Sequence, residues 1–458
     1  MLMTAPHAPL YPHSSAARGL AASTLAMRLD AIAATPGAEL SGLAFVALEE
    51  GNPVFEHYWG RRYIDPADSA LDLPVTADTR FRIASISKPF VGIGCMTLVE
   101  AGLLDLDADV SSYLGWTLRN PAFPDDPITP AMLLSHVSSL RDGESYSLPL
   151  SRSLSEFFQP GNPAWEDGAH FAGLSTRPGN TENEAVGKAS DPALAPGRFY
   201  SYCNLGFGVM GTIIERLSGQ RFDLFMRERV LQPLGVRGSF NVRLLSDEGL
   251  ANLAAIYRKG DDEGHWYPDG PWRPQVDKLR GIRPSANPTD AQIDAYVPGG
   301  NGTCFSPQGG LRASAREVAR LAALLIGRGQ LDGTRILRPE SIEQMRAARW
   351  IFDRATMNGE LGSGKSRQTG LALFRTDDSH DEFGGNRLRE SGGLCMEGHH
   401  GDAWGLLGGM LVDIEARKGF VYLIGGTAVD PETRHGRYSS YCLWQEEIHA
   451  AAAEYLYQ

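Results

Sequence analysis

The sequence is short of lysine. Only six occur in 458 residues (Lys88, Lys188, Lys259, Lys278, Lys365 and Lys418), and the formal charge is −12. With that balance and no run of basic residues, the chain lacks the electrostatic footprint of a nucleic-acid-binding protein. Cysteine is also sparse. Cys95, Cys203, Cys304, Cys395 and Cys442 are far apart, odd in number and form no Cys-x-x-Cys pair, which argues against a disulfide framework or a thiolate zinc site. No apolar run reaches membrane-spanning length. Met1 to Ser23 mixes Pro, His, Ser and Ala without the apolar core of a signal peptide, so the expected location is cytoplasmic.

What is present is ordinary for a globular chain: 42% hydrophobic and 21% charged residues. The length suits two or three domain-sized units, or one large domain with insertions.

Against the scarcity of lysine, one pairing stands out. Ser85 and Lys88 form a Ser-x-x-Lys motif within Phe81 to Phe90, and no other serine has a lysine three residues on. Pro89 is tolerated only where the helical amides lack partners, which predicts a helix start near Ser85 or Ile86 and a stop at Gly102. Three residues apart on a helix share a face. A serine hydroxyl needs a neighbouring base, and a desolvated lysine with a lowered pKa can supply one. The bland alternative is a capping serine with a surface lysine one turn on.

Along the chain, Thr24 to Ala34 reads as a short amphipathic helix. Leu43 to Leu48 and Val54 to Trp59 flank a hairpin turn. Thr129 and Pro130 mark a helix start. Gly206 to Leu217, Ala315 to Gly327 and Tyr441 to Tyr457 read as helices. Leu371 to Arg375 reads as a strand, and Gly408 to Asp413 with Phe420 to Ile424 as a second hairpin. Two long, weakly periodic excursions, Arg141 to Ala195 and Ser246 to Asn301, are expected to border a site. In the second, Trp266, Tyr267, Trp272 and Tyr296 either line a pocket or anchor the loop. The pattern predicts an α+β fold: an antiparallel sheet flanked by helices, with a mostly helical second subdomain. Residues 1–105 and 302–458 would form the sheet domain and 106–301 the helical one, with the site between them.

Two literal motif matches are rejected. Gly359 to Ser366 spells a phosphate loop, but a strand rather than a helix is expected after it. Gly206, Gly208 and Gly211 spell a dinucleotide fingerprint without the preceding buried strand, and more simply ease close helix packing.

Two further clusters carry possible chemistry. Tyr202 and Asn204, two apart on an extended turn, can point to one side. A phenol near a lysine can have its pKa depressed and pass a proton to a leaving group. His399 and Gly401 precede the last hairpin, where the histidine can donate a hydrogen bond and the glycine lets substrate approach the backbone. His399 and His400, adjacent on a strand, point apart and are not a metal pair.

Taken in order, Ser85-x-x-Lys88, Tyr202-x-Asn204 and His399-x-Gly401 resemble the serine β-lactamase and penicillin-binding superfamily. The branch is that of class C β-lactamases, D,D-carboxypeptidases, D-aminopeptidases and related esterases. The likeness runs from about Leu29 to Leu456. It is supported by Phe81 to Lys88, Leu133 to His136, Pro196 to Asn204 and Gly309-Gly310-Leu311. It implies that Ser85 is acylated, that Lys88 and Tyr202 share general base and acid work, and that Asn204 holds Lys88 or the substrate amide. His399 would stand where β-lactamases place a lysine. The backbone amides of Ser85 and Asp402 would form the oxyanion hole, with His400 and Gly401 beside the substrate. No cofactor or metal is implied, and the partner is a small-molecule or peptide substrate.

The sequence departs from that pattern at three places. Ser139 stands where relatives usually have glycine, His400 replaces a small hydroxyl residue, and Asp402 puts an acid at the oxyanion strand. Without a permanent cation at His399, substrate recognition is expected not to depend on a free carboxylate. The leading reading is an amide or peptide hydrolase acting on a small or D-configured residue. An esterase or acyltransferase using the same acyl-enzyme comes next, followed by a penicillin-binding module without turnover.

Overall fold

The structure, a computed structural model, describes residues 15–143, 145–159, 161, 170–172, 191–261, 263–284, 289–362 and 364–457. Its centre is an antiparallel sheet built from both ends of the chain. The hairpin Gly42–Glu49 and Asn52–Tyr63 lies beside the strands Lys418–Ile424, Leu406–Asp413 and Glu397–Ala403. Register is set by alternation. Leu43, Phe45 and Ala47 join Phe420 and Tyr422 under the helices Ser15–Ala33 and Leu443–Leu456. Ala44, Val46 and Leu48 face the other way with Val421 and Leu423, onto the helix Ala315–Ile326. A half-turn shift of either strand would carry both apolar rows onto the wrong layer.

The remaining helices form the second part. Asn204–Ser218 is its axis, in contact with Ser87–Glu100, Val110–Leu114 and Pro130–Leu134. Its glycines serve packing: a Cβ at Gly208 would lie 2.5 Å from Thr303, and one at Gly211 would lie 2.6 Å from Pro307. Thr129 caps Pro130–Leu134, and a Ser314–Glu317 capping box starts Ala315–Ile326.

Several expectations are revised. The first helix begins earlier, at Ser15. Leu371 to Arg375 is not one strand: Ala372 has φ 57°, Gly370 N donates to Leu373 O, and the strands are Gln368–Thr369 and Phe374–Arg375. The alternating apolar pattern concealed a tight turn. Residues 256–276 cross the expected boundary at 302, because Ile256–Lys259 pairs with both Trp272–Val276 and Gly426–Thr427.

Candidate active site

The peptide before the nucleophile candidate is bent by force of packing. Ala84 has φ 46°, a left-handed value that L residues rarely adopt, inside a short 3-10 turn, Ala84–Ile86. The helix Ser87–Glu100 follows at once, with Pro89 in its first turn and Gly102 at φ 69° beyond its end. The strand Glu397–Ala403 presses on this turn. A Cβ at Gly401 would sit 2.5 Å from the Ile83 carbonyl, so the close approach at this glycine is by backbone rather than by substrate.

Lys88 is buried below Ser85. Its Nζ donates to Asn204 Oδ1 at 2.8 Å and to the Gln308 carbonyl at 2.9 Å, and lies 3.0 Å from Ser85 Oγ. The two carbonyls occupy two N–H directions, so a neutral amine turns its lone pair toward the serine hydroxyl. Burial lowers the Lys88 pKa to about 7, while the Asp142 carboxylate acts in the opposite direction. Asn204 thus holds Lys88. Its own amide donates to Asp142 Oδ2 at 2.7 Å, and Asp142 Oδ1 accepts from Leu205 N at 2.8 Å.

Tyr202 OH donates to Ser85 Oγ at 2.8 Å. Its ring stacks on His136 with centroids 4.4 Å apart, and His136 Nδ1 accepts from Cys203 N at 3.0 Å. The expected depression of the phenol pKa is reversed: burial pushes it well above the usual value, a larger effect than the serine hydrogen bond that lowers it. Tyr202 therefore stays a protonated donor.

A cleft of about 300 Å³ opens from Ser85. Its lining includes Tyr202, Phe374, His399, His400 and Asp402, together with Tyr441 from the C-terminal end and Glu360 and Lys365 from the segment after Trp350.

A family model described as Beta-lactamase matches residues 29–438. The chain belongs to the Beta-lactamase family. Among its relatives, esterase EstB of Burkholderia gladioli is 30% identical over 48% of this chain and 52% of its own length. A D-aminopeptidase of Brucella anthropi is 28% identical over 56% of this chain and 39% of its own. The chain spans less than two thirds of either relative. The D-amino acid amidase of Ochrobactrum anthropi SV3 superposes with a TM-score of 0.61 at 18% identity, covering 96% of this chain and 99% of that one, a likeness of fold.

Within this Beta-lactamase framework each predicted residue has a place. Ser85, Lys88, Tyr202 and Asn204 form one hydrogen-bonded cluster. His399 and His400 diverge as strand neighbours must. His399 packs on Phe374 at 4.5 Å, and His400 packs on Tyr441 at 4.8 Å and His449 at 5.6 Å. His399 Nδ1 donates to the His400 carbonyl at 2.6 Å; burial and the charge of Lys88 hold its pKa well below the ordinary range. Asp402 does not raise it, since residues three apart on a strand face opposite sides. Burial lowers His400 to about 3. Ser139, in the usual glycine position, does adopt a left-handed φ of 61°, and its Oγ accepts from Asn120 Nδ2 at 3.3 Å.

The two excursions fare differently. Asp142 brings the first to the site, although 162–169 and 173–190 lie outside the described residues. The aromatics of the second anchor their own loops: Trp272 meets Tyr257, Trp266 lies under Arg258, and Tyr296 OH donates to Glu215. None of them lines the cleft. Sequence reading did not single out Asp142, Glu360 or Tyr441. None is a defining position of a spaced motif, and each arrives by tertiary approach. Among the described residues, no helix is long and apolar enough to cross a membrane.

Proposed function

We propose that this chain is a serine hydrolase that forms an acyl-enzyme on Ser85 and cleaves an amide or peptide bond, of a small or D-configured residue. The observation that carries the reading is the setting of Lys88. Two fixed carbonyl acceptors leave its third direction for Ser85, and burial makes the free amine accessible near neutral pH.

In this mechanism Lys88 takes the hydroxyl proton as Ser85 Oγ bonds to the substrate carbonyl carbon. The backbone amides of Ser85 and Asp402 receive the oxyanion. The Tyr202 phenol, kept protonated by burial, passes its proton to the leaving nitrogen. Water then enters as the second nucleophile: the resulting phenolate takes a proton from the attacking water, and Lys88 returns its proton to Ser85 Oγ as the acyl bond breaks. Asn204 and Asp142 hold Lys88 in place throughout.

Esters pass through the same acyl-enzyme, and the likeness to esterase EstB supports them as a second substrate class. Intact-mass detection of a covalent adduct, against D-amino-acid amides, small esters and penicillins, tests the proposal. The mass should rise by the acyl group in the wild type and not in Ser85→Ala. A fluorophosphonate probe should show the same dependence, and labelling of Ser85→Ala at another serine would remove Ser85 from the role.

A further inference from the structure

The neutral His399 leaves the Beta-lactamase cleft without a cation at the position where lysine is usual. A cation stands elsewhere in the same cleft. Lys365 lies in the stretch 359–366, which spells a phosphate loop but has no following helix; the next element is the strand Gln368–Thr369.

This loop is built rather than loose. Gly359 bridges to Tyr200, Tyr200 OH lies 3.2 Å from Ser366 Oγ, and Ser366 N donates to the Leu361 carbonyl at 2.9 Å. Asn386 Nδ2 donates to the Lys365 carbonyl at 3.3 Å. Gly364 has φ 94°, and a Cβ there would lie 2.3 Å from the Phe383 carbonyl. The adjoining Arg367 is buried, with its guanidinium 2.7 Å from Asp381. The backbone of Lys365 is therefore held on both sides, while the side chain is exposed at the cleft.

Two other lysines and the arginine of the cleft have carboxylate partners. Lys259 pairs with Glu39, Lys418 lies 3.7 Å from Glu49, and Arg375, also in the cleft, lies 4.0 Å from Glu397. Lys365 forms no ion pair among the described residues. Lys365 lines the same cleft as Ser85, His400 and Asp402. Neither of the cleft carboxylates, Glu360 and Asp402, forms an ion pair with it among the described residues.

We propose that Lys365 is a specificity residue of this cleft, binding a carboxylate carried by the substrate in place of the cation that His399 does not supply. This rests on the serine-hydrolase reading, and it revises the expectation that recognition is independent of a carboxylate. That expectation considered only the strand position. Lys365 stands in a loop 34 residues before His399 in the chain.

The test uses three esters: nitrophenyl butyrate, mono-nitrophenyl glutarate with its carboxylate on the acyl side, and 3-butyryloxybenzoate with its carboxylate on the leaving side. In Lys365→Gln, the kcat/KM of at least one carboxylate ester relative to butyrate should fall about tenfold, the scale of a hydrogen bond to a charged group, and the loss should lie in KM. Lys365→Arg should restore most of it. Unchanged ratios for both carboxylate esters would overturn the proposal. If the wild type turns over none of the three esters, the ester reading falls, and the subsite is judged by binding. Glutarate should raise the melting temperature of the wild type and not of Lys365→Gln; equal shifts, or none in the wild type, would overturn the subsite.

Discussion

Lys88 is buried at the base of the cleft, with each donor direction assigned to an oxygen, whereas Lys365 stands exposed at its rim without an ion pair. The two side chains are chemically identical. Burial makes the first cheap to deprotonate, and its pKa falls to about 7. An exposed ammonium keeps its hydration. The comparison teaches that position, rather than residue type, turns lysine into a base in one place and an anion site in another.

The largest expected effect is at the base. Lys88→Met should lower kcat/KM for nitrophenyl butyrate by roughly a thousandfold, the range general-base catalysis supplies. A rate near wild type would erase the contrast. Tyr202→Phe should cost nearly as much, and the double variant should be little worse than Lys88→Met alone, because the two groups act as one proton-handling unit. Multiplying losses would instead mean that they act independently.

A smaller effect sharpens the electrostatics. The free amine of Lys88 is the active form, so kcat/KM should rise as pH increases through about 7 and level off above it. Asp142 raises the lysine pKa, so Asp142→Asn should move that midpoint to lower pH. A stationary midpoint would take Asp142 out of the account. The same shift has a sign for stability. The folded state holds Lys88 less basic than the unfolded chain does, so the unfolded chain binds more protons and stability rises with pH above about 7. Lys88→Met should flatten that rise in a melting-temperature series.

The smallest effect separates exposed from buried charge. The preference for a carboxylate ester should shrink as salt rises, since an exposed ammonium is screened, while the butyrate rate should stay nearly constant. A preference indifferent to salt would place the carboxylate away from Lys365.

Much of this was legible in the chain. Pro89 and Gly102 bracket the nucleophile helix because proline is restricted to a helix start and glycine ends one cheaply. Ser85 and Lys88 meet because one helical turn brings them together, and the alternating hairpins assign the sheet. The tight turn within 370–373 was hidden because its apolar residues keep a strand-like pattern while Ala372 turns left-handed. The aromatics of the second excursion were ambiguous because a ring that anchors a loop and a ring that lines a pocket have the same composition.

By itself the sequence determined the Ser-x-x-Lys geometry, the caps, and the divergence of His399 from His400. Tertiary structure decided the protonation states and the far wall of the cleft. Desolvation depends on what surrounds a group on all sides, so the phenol of Tyr202 and the imidazole of His399 took their states from neighbours distant in sequence. Asp142 reaches Asn204, and Glu360, Lys365 and Tyr441 reach the cleft, only after the sheet and helices have packed, and no local spacing encodes that meeting.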